Sequence, residues 1–250
     1  MINYMKSEYY RLLRKKGVHF TSVICLLLIV VAATVLQYLD KVDPTFPYAT
    51  SNYFYSNVIA LGLIIIIIGF IFNSALTSKD DMSLIKQTVS FGISRGTIFW
   101  SKLILTLSYF VLICVIGMFL MIALGESLLI TDNHSVHNFL IASVNMAPLV
   151  LSGFILTHVL KVMKVRDVYI FILLLFIYGF SSNLVRMLFR PFQGLSDVYK
   201  YMPNTLFNDN LGNYIVEAVP FSYEYWVIGI GISLFVLFIG ANRFAKQNID

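Results

Sequence analysis

Between Gly62 and Phe72 the chain reads GLIIIIIGFIF, eleven residues without a charge or a turn former other than glycine. Such runs recur along the sequence, and several are long enough to cross a bilayer as helices, which takes roughly 20 apolar residues each. Six spans can be counted: Val18–Leu39, Ser56–Leu76, Leu103–Leu124, Asn138–Leu160, Val168–Leu188 and Tyr225–Asn242. Composition agrees. Hydrophobic residues make up 58% of the chain and charged residues 12%, with a mean hydropathy of +0.80. A soluble domain of 250 residues needs far more charge to cover its surface. The expected fold is an all-α membrane protein, one transmembrane domain over residues 1–250, with no internal repeat or low-complexity linker to divide it.

Ahead of the first span, INYMKSEYYRLLRKK places Ile2, Met5, Tyr9, Leu12 and Leu13 on one helical face and Lys6, Arg11, Arg14 and Lys15 largely elsewhere. That pattern predicts an amphipathic helix lying in the headgroup region. The first apolar run is too long for a signal peptide and no small-x-small site follows it, so an anchor that stays is expected. Lysine and arginine positions set the orientation. With the N-terminus inside, the inner segments hold fourteen of them (Lys6, Arg11, Arg14, Lys15, Lys16, Lys79, Lys86, Arg95, Lys102, Lys161, Lys164, Arg166, Arg243, Lys246). The outer segments hold four: Lys41, Arg186, Arg190 and Lys200. Both termini are therefore expected in the cytoplasm. The net charge of +5 then records topology and gives no argument for nucleic-acid binding.

Two connecting segments are long. In the inner one, KDDMSLIKQTVSFGISRGTIFWSK puts Met82, Ile85 and Val89 at helical spacing with Asp80, Asp81, Lys86 and Gln87 between them. The spacing predicts a short amphipathic helix at the membrane surface, ended by Gly92. The outer one, Phe189 to Glu224, is broken by Pro191, Pro203 and Pro220 and is rich in aromatics, as interfacial segments are. An unstructured loop of that length would be unusual, so one or two short helices in the outer leaflet are expected there.

The inner segment also contains Gly92-Ile93-Ser94-Arg95-Gly96, the G-x-S-x-G of a nucleophile elbow. An elbow needs a preceding strand, a following helix, and an Asp or Glu and then a His later in the chain. Membrane spans and short connections cannot supply the parallel sheet, and His158 and Asp167 come in the reverse order. An intramembrane protease would need a Ser–His or paired-Asp constellation inside the bilayer, and no acidic residue falls at the centre of a span. His134 and His137 form an H-x-x-H in an outer loop beside Asp132, short of the three or four ligands zinc takes. Cys25 and Cys114 both fall in apolar runs, where they act as small hydrophobes. The dipeptide Gly-Lys never occurs, so no Walker A loop can cradle phosphates. No cofactor is expected in this chain; if ATP drives it, another polypeptide binds the nucleotide.

With the hydrolase set aside, these residues resemble a different plan. An amphipathic N-terminal helix, six spans, a cytoplasmic helix between spans two and three and a structured outer segment between spans five and six are similar to the permease subunit of ABC-2-type ABC transporters. That family has an acidic residue, a Gly-Thr pair, a Lys, then Ser-Arg and, about seven residues on, a Lys entering span three. Asp80 or Asp81, Lys86, Ser94-Arg95 and Lys102 match that run, with Met82-Ser83 where the Gly-Thr pair would stand. YMPNTLF, Tyr201 to Phe207, resembles a Pro-containing stretch of the family's outer segment. The resemblance implies two permease copies, a homodimer, above two ABC ATPase subunits that carry Mg-ATP, in a bacterial plasma membrane. The helix around Asp80, Asp81, Met82, Ser83, Ile85, Lys86 and Val89 would then be the coupling helix, seated in a groove of the ATPase. Arg95 and Lys102 would anchor the start of span three by snorkelling to the inner headgroups.

Polar residues within spans need partners in lipid, so they are candidates for a pathway. Asn73 and Ser74 fall near the inner end of span two, and Ser181, Ser182 and Asn183 toward the outer end of span five. They serve either a route or interhelical hydrogen bonds, which contribute about 0.6 kcal/mol each. Pro148 is expected to kink span four. The small size and lack of a large outer domain resemble permeases for antimicrobial or cytolytic peptides, immunity exporters and the exporter of phenol-soluble modulins among them. Amphipathic or hydrophobic peptides are the substrate this implies; lipids or drugs are the alternative, and an intramembrane hydrolase the reading from another class.

Overall fold

The computed structural model describes residues 2–43, 45–132, 134–189, 196–216 and 219–246. Among them no strand forms. The helix α1 (Ile2–Arg14) leads through an extended Lys15 into the first span, α2 (Lys16–Val42). In place of the expected second span stand two helices, α3 (Ser51–Ala60) and α4 (Gly62–Thr77), bent by 59° at Leu61. After α5 (Lys79–Ser90) come the spans α6 (Arg95–Leu128) and α7 (Ser135–Val162). The fifth span combines α8 (Asp167–Leu174), a π-helical turn Leu175–Phe180 and α9 (Ser181–Phe189). A 3₁₀ turn (Ser196–Tyr201) and α10 (Pro203–Ile215) precede the last span, α11 (Tyr223–Lys246). Five helices are long and apolar enough to cross a membrane, or six with the bent pair counted as one span. The chain is a multi-pass helical membrane protein.

The bend corrects the expectation of a continuous span over Ser56–Leu76. It coincides with packing against the outer segment: a methyl group on Gly62 would lie 2.7 Å from the Phe207 ring of α10, which seats on the first residue of α4. Thr50 caps α3 by accepting from the Tyr53 amide, and Ser51 N–H donates to Ile130 O, tying α3 to the end of α6. The short helices expected after span five are present as the 3₁₀ turn and α10. Arg190 and Pro191 lie outside the described residues.

The spans are not equivalent. In α7, 72% of the most apolar window is buried inside the protein, against 17% in each of α2, α6 and α11. So α7 is the central post, and the other three turn much of their surface to the surroundings. It runs through Pro148 as one helix. The Pro148 carbonyl faces Gly229 of α11, where an added Cβ would come within 2.5 Å of the carbonyl carbon. Only glycine lets the two backbones approach that closely. One core cluster surrounds Ile66, Phe72, Phe99, Phe110 and Phe154, with the Phe110 and Phe154 rings stacked at 5.1 Å. A second gathers Phe54, Tyr55, Met121, Phe139 and Tyr214, with Tyr55 stacked on Phe139 at 4.7 Å.

The helix α1 and the last turn of α11 lie at the same end of this bundle. There α1 packs along the start of α6, and the Arg95 guanidinium donates to the Ala245 carbonyl in the last turn of α11 at 3.1 Å.

Candidate functional site

The end that carries α1 and the last turn of α11 holds a dense set of buried charges. Ser78 starts α5 as its N-cap, accepting from the Asp81 amide. This places the Asp81 side chain, 2% exposed, against α1. Arg11 donates to it, and Lys15 Nζ lies 2.9 and 3.1 Å from its two oxygens. Arg11 also pairs with Glu8 on the same helix. The other Glu8 oxygen takes the Lys102 ammonium of α6 at 3.3 Å. Lys102 in turn donates to Leu76 O at 2.6 Å, one of the carbonyls left free at the end of α4. One chain of charged contacts therefore joins α1, α4, α5 and α6.

Electrostatics favour the charged form of Asp81. Burial works against the Asp81 carboxylate, but the Ser78 hydroxyl and Lys15 outweigh it and hold its pKa below the ordinary aspartate value. Burial, and then the Glu8 charge, push the Tyr4 hydroxyl upward, so it stays a neutral donor beside Glu8. Removing one member of a buried pair strands the other, which typically costs about 3–5 kcal/mol.

A neutral polar knot sits against the cluster. Asn73 and His158 are both fully buried. The Asn73 amide lies 3.3 Å from His158 Nδ1, and His158 Nε2 lies 3.3 Å from the Phe99 carbonyl. With the proton on Nε2, the ring donates to Phe99 and accepts from Asn73, linking α4, α6 and α7. The Thr77 hydroxyl completes it at 2.7 Å from the Asn73 carbonyl.

Toward the other end a second knot ties down α10. Buried Asn145 lies with its amide nitrogen 2.9 Å from Pro220 O and 3.4 Å from Asn210 Oδ1, while its oxygen accepts from the Ser222 amide. Asn210 donates to the Ala142 carbonyl at 2.9 Å. The π turn of span five shifts the hydrogen-bond ladder. Within it Gly179 O accepts from Asn204 of α10 at 2.8 Å.

The residues singled out in the sequence divide between these places. Lys102 requires correction: it is 1% exposed and turned inward, so it does not snorkel to the headgroups. The α4 carbonyls and Glu8 offer stronger partners than lipid would. Asp81 and Ile85 likewise face the bundle, and Val89 is half-buried against it, so the apolar stripe of α5 holds the helix to this chain. Ser83, Leu84, Lys86, Gln87 and Ser90 form its outward face, continued by Phe91 at 84% exposure. The Asp80 and Met82 side chains lie outside the described residues. Of the pathway candidates, Asn73 belongs to the buried knot and Ser74 bonds back to Phe70 O. Ser182 is buried, Asn183 exposed, and the buried Ser181 hydroxyl has no partner among the described residues. The hydrogen bonds of Asn73 and Ser74 go to His158, Thr77 and Phe70 and not to the Ser181 group, and neither described groove is lined by any of these residues.

The G-x-S-x-G has a local explanation. Gly92, at φ +83°, is the left-handed residue that closes α5, and Ser94 is the N-cap of α6, accepting from the Thr97 amide at 3.2 Å. His158 and Asp167 have other partners: Asn73 and Phe99 for one, Lys161 at 2.9 Å for the other.

Glu8 escaped the sequence reading, although it is the sole acid before Asp40 and stands among five cations. Asn145 and Asn210 also escaped; a lone amide in an apolar run carries no sign of which helix it will meet. Searches against protein-family models, curated proteins and solved structures gave no significant match.

Proposed function

We propose that this chain is the transmembrane subunit of an ATP-driven exporter of the ABC-2 type, moving amphipathic or hydrophobic peptides out of the cell. Mg-ATP would be bound and hydrolysed by a separate ATPase subunit, and two copies of this chain would form the transmembrane part. One observation supports this above the others. The amphipathic α5 lies at the end of the bundle that carries α1 and the last turn of α11, clamped by Asp81 and Ile85 and facing outward with Leu84, Lys86, Gln87, Ser90 and Phe91. A helix held by ion pairs to α1 and in series with Lys102 on α6 transmits a push from below into the spans. A loosely tethered loop would not. The coupling role thus falls to the outward residues, Ser83 and Lys86 among the original set, while Asp81, Ile85 and Lys102 hold the lever.

Peptide export is favoured by the aromatic core clusters between the spans, away from the ionic cluster at one end, which suit apolar side chains better than ions or sugars. The same interior would pass an acyl chain, which makes lipid export the second reading. The test is the ATPase rate of the complex with its partner in liposomes. Amphipathic helical peptides at micromolar levels should change it, and Leu84→Asp with Lys86→Glu should abolish that response while the permease stays folded. A response to lipids alone would favour the second reading; full coupling in the double variant would refute the role of α5.

A further inference from the structure

At the same end of the bundle, an open groove of about 340 Å³ lies between the turn after α7 and the last turns of α11. Met163, Asn242, Arg243 and Lys246 line it. Arg243 and Lys246 are exposed, and neither joins an ion pair among the described residues. Asp167, the acid that follows Met163 in the chain, is already held by Lys161. The groove is therefore cationic without an internal counter-charge on its described walls.

The turn beside it carries a second signal. Two helices here end in the same cap, with a left-handed residue just past the end and paired backbone bonds closing it. In α5 that residue is Gly92, with Gly92 N–H to Val89 O and Ile93 N–H to Thr88 O. In α7 it is Lys164 at φ +62°, with Lys164 N–H to Lys161 O and Val165 N–H to Leu160 O. A lysine is disfavoured where glycine fits freely. The strain places one more exposed cation next to Met163.

The α11 wall indicates the rest of the ligand. Phe235, Phe238 and Ile239 are 67%, 72% and 37% exposed and stand at i, i+3 and i+4. Asn242 and Lys246 continue the same helical face. A molecule seated at Arg243 and Lys246 thus has an apolar strip leading from the groove along the span. A phosphate ion would leave that strip unused.

We infer that this groove binds an anionic phospholipid. Arg243 and Lys246 pair with the phosphodiester, Lys164 adds to the field, and the acyl chains lie along Phe235, Phe238 and Ile239. Cationic pockets at the inner ends of helices suit such headgroups. The site needs only membrane insertion and is independent of the exporter reading.

Native mass spectrometry of the detergent-solubilised chain tests it, with phosphatidylglycerol and phosphatidylcholine of identical acyl chains as probes. The wild type should prefer phosphatidylglycerol by about tenfold or more, the scale of two charges at a membrane surface. Arg243→Gln with Lys246→Gln should remove that preference. Lys6→Gln with Lys86→Gln, an equal charge loss at the same end, should leave it unchanged. Lys164→Gly should raise thermal stability yet weaken phosphatidylglycerol binding, a combination that a purely structural lysine would not give. Equal binding of the two lipids, an equal loss in the control pair, or displacement of phosphatidylglycerol by millimolar inorganic phosphate would each overturn the proposal.

Discussion

Lys86 and Lys102 flank the same connection and carry the same charge, yet they do different work. Lys86 is exposed on α5, whereas Lys102 is buried with its ammonium shared between Leu76 O and Glu8. Lys102→Met takes from Glu8 its one buried cation, leaving it Arg11 and Tyr4, and leaves an α4 carbonyl without its donor, so it should destabilise the protein by about 3–5 kcal/mol. Lys86→Met should stay within about 0.5 kcal/mol. Thermal melts of the two variants in detergent check the contrast; equal melting points would mean that Lys102 is not committed inside. Nothing in the sequence separates the two lysines, because burial of Lys102 depends on Glu8 arriving from the first helix. Asp81 gives the cluster a pH dependence of defined sign. Its folded pKa lies below the ordinary value, so its stabilisation is fully present above the ordinary aspartate range. That stabilisation is lost as pH falls through the folded pKa. Asp81→Asn should lower stability at neutral pH by about 1.5–3 kcal/mol, the scale of hydrogen bonds to a charged group. The variant should also lose the part of the acid-induced fall that the wild type shows below that range, as melts taken at stepped pH would show.

At the scale of the element, α7 and α11 form the closest pair, and their contact rests on missing side chains. Gly229 faces the Pro148 carbonyl, and Gly240 faces Val159 with 2.4 Å to an added Cβ. Gly231, two residues on from Gly229, has nothing within 4 Å. Gly229→Val should therefore push α11 off α7 and cost at least the 1–3 kcal/mol typical of overpacking. Gly231→Ala should be neutral or slightly stabilising, because alanine is the better helix former. Limited proteolysis and thermal melts read both, and a tolerated Gly229→Val would show that the helices are not in backbone contact. The five helices long enough to cross a membrane were legible because each is a long apolar run, and the helix at Lys79–Ser90 because its apolar residues recur at helical spacing. The break at Leu61 was not, since it lies inside an unbroken apolar run and meets a ring from α10 across the fold. The inward face of α5 also escaped: amphipathicity says that a helix has an apolar side without saying what covers it.

For the whole molecule, the structure brings α1, α5 and the ends of α4, α7 and α11 to one end of the bundle, while α3 begins and α10 packs toward the other. Fourteen of the eighteen lysines and arginines belong to segments expected on the first side. The charge rule predicts one insertion direction from both facts, with the cationic end on the cytoplasmic side. The alternative, with the termini outside, would require translocating Lys15, Lys16, Lys79 and Lys86 together with the ionic cluster that binds α1 to α5. The prediction is that Ser83 lies inside and Asn208, on the exposed side of α10, outside. Cys25 and Cys114 are only half-buried and are replaced first so that they do not react. In intact cells an impermeant thiol reagent should then label a Cys placed at Asn208. It should reach one at Ser83 only after the membrane is opened. Labelling at Ser83 from outside would invert the protein, and with it both the docking side of α5 and the leaflet that meets Arg243 and Lys246.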